Sequence, residues 1–365
     1  MPILDINNKE LKEKYKEFLI KNKYSDLMQS IEWAKLKDNW ICEVVYLMDE
    51  NNEFIATSTV LLRKIPVINS YIAYCPRGPI LSKRDSNLLD DLLKEFGVLR
   101  RKYNIFCVRF DPNWKKEEIN KKEFKKLKFR DKVSTKKIFQ PKLNMILGLE
   151  NYTEQELFDS FSQTTRRNIR IALKNNCEVV QMTNLDGLDI FYDIHKITGK
   201  RDNFLIRSKE YFENMYNIFK DSGILKIWLV KHEGEVLGAT ISLEYGNTMW
   251  YYAGASSNEK RDFRPNHLIQ WEMIKYAKEK NYAFYNFGGI YSVDPKIEPL
   301  YIFKSGFCKK DGVTEYIGEM DYVYSKIKYV AYLLLENLNI LKKKIIKLIR
   351  RIKNSEAKEN QAKAA

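Results

Sequence analysis

Lys226-Ile227-Trp228-Leu229-Val230 is followed by His232-Glu233-Gly234-Glu235 and then by the apolar-rich run Val236–Tyr245. Two β-rich, partly alternating runs around a polar turn read as a hairpin. The same reading applies near the start of the chain, where Val44-Val45-Tyr46-Leu47 precedes Asp49-Glu50-Asn51-Asn52-Glu53 and the run Phe54–Leu62. The likeness extends outward from both hairpins. Tyr71-Ile72-Ala73-Tyr74 and Met249-Trp250-Tyr251-Tyr252 supply a third strand, and Leu88–Tyr103 and His267–Asn281 carry the helical period. Ile105–Phe110 and Phe284–Phe287 supply a further strand, and helical sequence precedes each hairpin at Lys9–Leu19 and Leu188–Phe219. One order of elements, repeated roughly 180 residues apart, predicts a duplicated α/β module with mixed sheets.

With 365 residues, 44% of them hydrophobic and 30% charged, the chain can bury two separate cores and is no candidate for wholesale disorder. Its five cysteines are scattered without a CxxC pair, which fits reduced thiols and indicates neither a disulfide framework nor a zinc site. Met1–Asp5 lacks the basic and apolar regions of a signal peptide, and no run approaches the roughly 20 apolar residues of a membrane span. A cytoplasmic location is expected, extending to the inner face of the membrane. Three histidines stand far apart, and HExxH, GxSxG and GxxxxGK[ST] patterns are missing. A metal centre, a serine-hydrolase elbow and an ATP-binding loop are therefore not indicated. The net charge of +15 points to a polyanionic partner: nucleic acid, a phosphorylated substrate or an acidic membrane.

Antiparallel strands that lead into strand–helix–strand form the pattern of acyl-CoA N-acyltransferases, so the expected fold is two tandem GNAT-like modules of α/β (α+β) class. Those enzymes cradle a pyrophosphate on backbone N–H groups of a glycine-rich turn. The matching places here are Arg77-Gly78-Pro79 and Arg261-Asp262-Phe263-Arg264-Pro265. Both lack the glycines and both carry a proline, which has no N–H to offer. The scaffold reads as an acyltransferase without its CoA site.

A series of strings then aligns in order along residues 1–330. They are Gln29-Ser30-x-Glu32-Trp33-x-x-x-Lys37, Pro76-Arg77-Gly78-Pro79, Arg109-Phe110-Asp111-Pro112, and Arg201-Asp202-x-Phe204-x-Ile206-Arg207. Tyr251-Tyr252-Ala253-Gly254-Ala255-Ser256, Pro265-Asn266-x-Leu268-x-Gln270-Trp271-Glu272 and Asn286-Phe287-Gly288-Gly289 follow. Leu300-Tyr301-x-Phe303-Lys304-x-x-Phe307 and Glu315-Tyr316-Ile317-Gly318-Glu319 complete the series. On these strings the chain resembles the Fem family (FemABX) of peptidoglycan-bridge aminoacyl transferases. Leu188–Phe219 leaves no room for the long helical arm of some members, so the likeness is closest to the armless FemX type.

The resemblance implies a tRNA-dependent transferase that moves Gly, Ala or Ser from aminoacyl-tRNA to the side-chain amine of the third stem-peptide residue. The acceptor is UDP-MurNAc-pentapeptide or lipid II, and no cofactor is implied because the ester already carries the activation. Lys304 becomes the oxyanion-stabilising ammonium, a role that suits a fixed cation among Tyr301, Phe303 and Phe307; a plain helix-surface lysine is the alternative. Asp111, after the last strand of the first repeat, becomes a base or positioning group for the attacking amine, although Asp-Pro also suits an ordinary turn. Lys37 and Arg207 match ligands of the nucleotide diphosphate and come from different modules. Arg77 is a further phosphate contact, and Tyr252, Phe303 and Glu319 line the substrate groove, with core packing the alternative for Tyr252.

The expected modules are 1–147 with about 320–340, and 148–319, in a monomer. Beyond them, Leu341, Ile345, Leu348, Ile349 and Ile352 fall on one face of a helix otherwise made of lysine and arginine. This basic amphipathic segment, 341–353, suits an anionic membrane or tRNA phosphates, or docks on the first module; residues 354–365 read as disordered. Two other functions remain open from the residues alone: an acyl-CoA-dependent N-acyltransferase, and a non-catalytic protein that binds cell-wall precursor or tRNA.

Overall fold

The computed structural model describes residues 3–118, 130–131 and 139–342. Residues 343–353 of the basic segment, and the tail after them, lie outside these. The first part of the chain runs α1 (Lys9–Lys21), α2 (Ile31–Lys35), β1 (Ile41–Met48), β2 (Phe54–Ile65), β3 (Ser70–Arg77), β4 (Ile80–Leu81), α3 (Ser86–Tyr103), β5 (Ile105–Pro112) and β6 (Arg130–Asp131). The second runs β7 (Leu143–Gly148), α4 (Glu154–Ser160), α5 (Gln163–Lys174), β8 (Glu178–Met182), α6 (Leu185–Asp202), α7 (Lys209–Phe219) and β9 (Leu225–His232). It continues through β10 (Glu235–Tyr245), β11 (Thr248–Ser256), α8 (Pro265–Glu279), β12 (Phe284–Ile290), α9 (Pro299–Phe307) and β13 (Thr314–Glu315). The chain then returns as β14 (Met320–Val323) and α10 (326–342).

The two sheets repeat one plan. The first has the order β1-β2-β3-β5-β14-β6 and the second β13-β7-β12-β11-β10-β9-β8. Each contains one parallel pair, β3 with β5 and β11 with β12, and each pair is joined by a helix, α3 or α8. Helix α3 shows why: Leu88, Leu89, Leu92, Leu93, Phe96 and Leu99 form one buried stripe, and Asp85 caps its first turn. Outside each parallel pair lies an antiparallel strand borrowed from beyond the repeat, β14 beside β5 and β7 beside β12. Strand β7 already belongs to the second sheet, so the chain crosses between sheets a few residues before 147/148.

Leu188–Phe219 is two helices. The chain breaks at Asn203, which takes a left-handed φ of +53°. One apolar cluster spans both halves, packing Leu19, Leu27 and Trp33 with Leu188, Phe191 and Phe212. Each such side chain contributes about 1.5–3 kcal/mol on burial, so this shared core fixes one module against the other. The returning segment is pinned electrostatically. Arg109 donates to Asp321 from Nε at 2.7 Å and from a terminal nitrogen at 2.9 Å, and the Tyr329 hydroxyl donates to Asp321 at 2.6 Å. Among the described residues no helix is long and apolar enough to cross a membrane. Nor are three His, Cys, Asp or Glu side chains among them placed to hold a metal ion.

Candidate active site between the two modules

Lys37 and Arg207 meet from opposite modules. Ser30 caps α2 by accepting from the Trp33 N–H at 3.0 Å, and the turn that ends this short helix leaves Lys37 half-buried while Lys35 stays exposed. The Lys37 ammonium lies 5.1 Å from the centre of the Trp33 ring. Arg207 sits in the connection between α6 and α7, with its guanidinium 4.3 Å from the centre of the Tyr211 ring. That connection folds tightly onto α6 because Gly199 has no side chain: a Cβ there would come within 2.4 Å of Ile206. Burial first, and the Arg207 charge second, push the Lys37 amine down to about 8 from its ordinary 10.5.

Tyr252 joins the two sides. It is the extra residue at an irregularity in the β10–β11 pairing, a device that re-aims a side chain. Its hydroxyl lies 2.7 Å from that of Tyr211, and its ring packs edge-on against Trp33 at 6.0 Å. Tyr252 is therefore half-buried in an aromatic wall between two like charges. Two cations so placed, with aromatic faces behind them, suit a dianionic group. Trp33 stood within a quoted string; Tyr211 did not, and only its place in the first turn after the Ser208 cap marks it.

Lys304 is on α9, which Pro299 opens. It is only 7% exposed, and its ammonium donates to the Gly289 carbonyl at 2.9 Å, at the carboxyl end of β12. Burial pushes this amine down to about 8. Phe303 and Phe307 pack edge-on against each other at 5.5 Å, and Phe303 also lines a cavity of about 370 Å³ at the N-terminus of α8 with Arg261, Arg264 and Asn266.

Asp111 lies at the corresponding end of β5 and is 1% exposed. One carboxylate oxygen accepts from the Tyr74 hydroxyl at 3.2 Å, and the other is 3.5 Å from the Arg77 guanidinium. Burial raises Asp111 to about 7, with Arg77 opposing that rise and Glu319 adding to it. Arg77 is equally enclosed: it donates to the Pro141 carbonyl at 3.1 Å and lies 5.0 Å over the Tyr316 ring. Its guanidinium faces protein groups on these sides. Glu319, nearly covered, accepts from the Phe139 N–H and lies 3.9 Å from Arg109.

These groups form one line between the modules, buried at Lys304, Arg77 and Asp111 and partly exposed between them. Pro141 sits so close to Gly289 that a Cβ on Gly289 would fall 2.3 Å from its ring. The path runs from Lys304 to Gly289, across that contact to Pro141, and on through Arg77 to Asp111. Neither Gly289 nor Pro141 carries a chemical group that sequence reasoning would select. Both ends of the path lie at the carboxyl ends of parallel strands, where open α/β sheets place their ligands.

The FemAB family profile matches residues 11–232 and 226–337. The chain is 31% identical over 334 residues to UDP-N-acetylmuramoylpentapeptide-lysine N(6)-alanyltransferase of Weissella viridescens, with 88% of this chain and 96% of the relative covered. It is 27% identical over 389 residues to lipid II:glycine glycyltransferase of Staphylococcus epidermidis, with 87% and 92% covered. The crystal structure of FemX shares the fold at a TM-score of 0.83 and 24% identity, over 91% of this chain and 100% of that one. The tandem α/β scaffold expected from the repeats is thus shared with the FemX structure, and the chain belongs to the FemAB family.

Proposed function

We propose that this protein transfers a small amino acid from aminoacyl-tRNA to the side-chain amine of the third stem-peptide residue of a peptidoglycan precursor. The names of the Weissella and Staphylococcus relatives support aminoacyl transfer to UDP-MurNAc-pentapeptide or lipid II. The observation that carries the reading is the path from Lys304 to Asp111, which links groups of the two modules.

In this reading the acceptor amine attacks the ester carbonyl of the charged tRNA. A C–N bond forms, and negative charge gathers on the carbonyl oxygen. The Lys304 ammonium, held by Gly289 in a site largely closed to water, meets that charge at no reorganisation cost. Collapse breaks the ester C–O bond, and the proton lost by nitrogen ends on the leaving ribose oxygen. No metal, nucleotide triphosphate or CoA enters these steps. Lys37 and Arg207 hold the diphosphate of the acceptor. Asp111, enclosed by Tyr74 and Arg77, works as a positioning residue: it holds Arg77, which holds Pro141 against Gly289.

The test is transfer of label from tRNA charged with glycine, alanine or serine to UDP-MurNAc-pentapeptide by the purified protein. Label transfer that ribonuclease abolishes supports the proposal. Transfer from acetyl-CoA alone, or binding of the acceptor without transfer, contradicts it.

A further inference from the structure

Helix α10 is amphipathic in a way the fold does not use. Tyr329 and Tyr332 are buried on the first sheet against Ile65, Ile72 and Phe106, and the Tyr332 hydroxyl donates to the buried Glu336 at 2.6 Å. The opposite side carries Ile327, Val330, Leu334, Leu338 and Leu341, each more than half exposed. Steps of three and four residues place these five on one stripe pointing away from the protein. Nothing among the described residues covers them. A contiguous exposed aliphatic stripe marks an interaction surface.

The charge around the stripe identifies its partner. Lys326 and Lys342 flank it, and Arg63 and Lys64 line a groove of about 820 Å³ between α10 and the end of β2. In sequence the same apolar spacing continues at Ile345, Leu348 and Ile352. Lys342, Lys343, Lys344, Lys347, Arg350, Arg351 and Lys353 stand between and around those positions, and residues 337–355 contain no acid. We propose that the exposed stripe of α10 docks the protein on an anionic membrane surface, with the aliphatic side chains at the acyl boundary and the flanking cations among the headgroups. An aliphatic stripe edged by lysine and arginine matches that interface in both chemistries. A second copy of the chain fits less well, because pairing two stripes would bring like charges side by side. An RNA would engage the cations and leave the aliphatic side chains in water.

The full chain should sediment with phosphatidylcholine vesicles that contain phosphatidylglycerol, and remain in solution with phosphatidylcholine alone. High salt should weaken the binding. The double variant Leu334→Asn/Leu338→Asn should lower partitioning by roughly tenfold or more, and leave transfer to the soluble UDP-linked acceptor unchanged. Failure of the full chain to bind the anionic vesicles, or unchanged binding by the double variant, overturns the proposal. A concentration-dependent dimer lost in that variant, or vesicle-independent tRNA retention that it abolishes, would reassign the stripe. The membrane reading does not depend on the transfer chemistry: vesicle binding without any aminoacyl transfer would leave it standing while removing the proposed function.

Discussion

The Arg77 guanidinium lies 3.5 Å from the Asp111 carboxylate, and both side chains are buried at the ends of neighbouring parallel strands. The pair joins chemistry to architecture, because the same guanidinium holds the Pro141 carbonyl that leans on Gly289. An ion pair this enclosed is a poor source of net stability; its use is to hold one arrangement.

Transfer should show a narrow bell-shaped pH dependence. Asp111, raised to about 7, must be ionised to keep Arg77 in place, so the rate falls as pH drops through about 7. Lys304, lowered to about 8, must be protonated to meet the oxyanion, so the rate falls again as pH rises through about 8. Glu319→Gln removes a charge that raises Asp111, and should shift only the acid limb downwards. Rates at saturating substrate across this range check the expectation; a profile flat from pH 6 to 9, within roughly twofold, would contradict it.

Lys304→Met should make the protein more stable while removing turnover. The folded-state amine sits near 8 and the ordinary value is 10.5, so keeping it charged in the fold costs free energy below about pH 8. The penalty fades as pH rises from about 8 to 10.5. At pH 7 the variant should gain on the order of 1–3 kcal/mol, after loss of the Gly289 hydrogen bond is counted. Urea unfolding at pH 7 and pH 10 reads this directly; a variant less stable than wild type at pH 7 would contradict the assignment of a buried charged amine.

Lys37→Met and Arg207→Met should each raise KM for the UDP-linked acceptor by roughly 10–100-fold with little change in kcat, since they bind a group that does not react. Their like charges add a second signature. Arg207→Met should raise the Lys37 pKa, because the Arg207 charge is one of the two causes that depress it. Titration of the Lys37 amine by NMR would show the shift; an unmoved amine would mean that the two cations do not share a site.

Asp321→Asn should cost about 3–5 kcal/mol, because it removes the two-pronged partner of the fully buried Arg109, leaving only the more distant Glu319 carboxylate, and frees β14 and α10 from the first sheet. Chemical denaturation measures it, and a loss under about 1 kcal/mol would show that the returning strand is held by packing alone.

Much of the scaffold was legible because the repeated elements are local. The hairpins carry their own turns, and Leu88–Leu99 carries its own period. The borrowed strands were harder: β14 has four residues and finds its partner Arg109 more than 200 positions away, a pairing that no local pattern encodes. Of the site, Lys304, Lys37 and Arg207 came from the family strings. Arg77 came from them too, yet its neighbours put it inside the protein, because β3 lies beside β5 in parallel and sets it next to Asp111. Gly289 stood in a family string without a role and Pro141 in none, since their part rests on a close approach between two residues without reactive groups.

The account turns on Lys304, and single-turnover transfer by Lys304→Met tests it most directly. With acceptor binding measured separately on the same preparation, the account expects unchanged affinity and a fall of roughly 10²–10³-fold in the transfer rate. A rate within about threefold of wild type, with the acceptor bound normally, would contradict it.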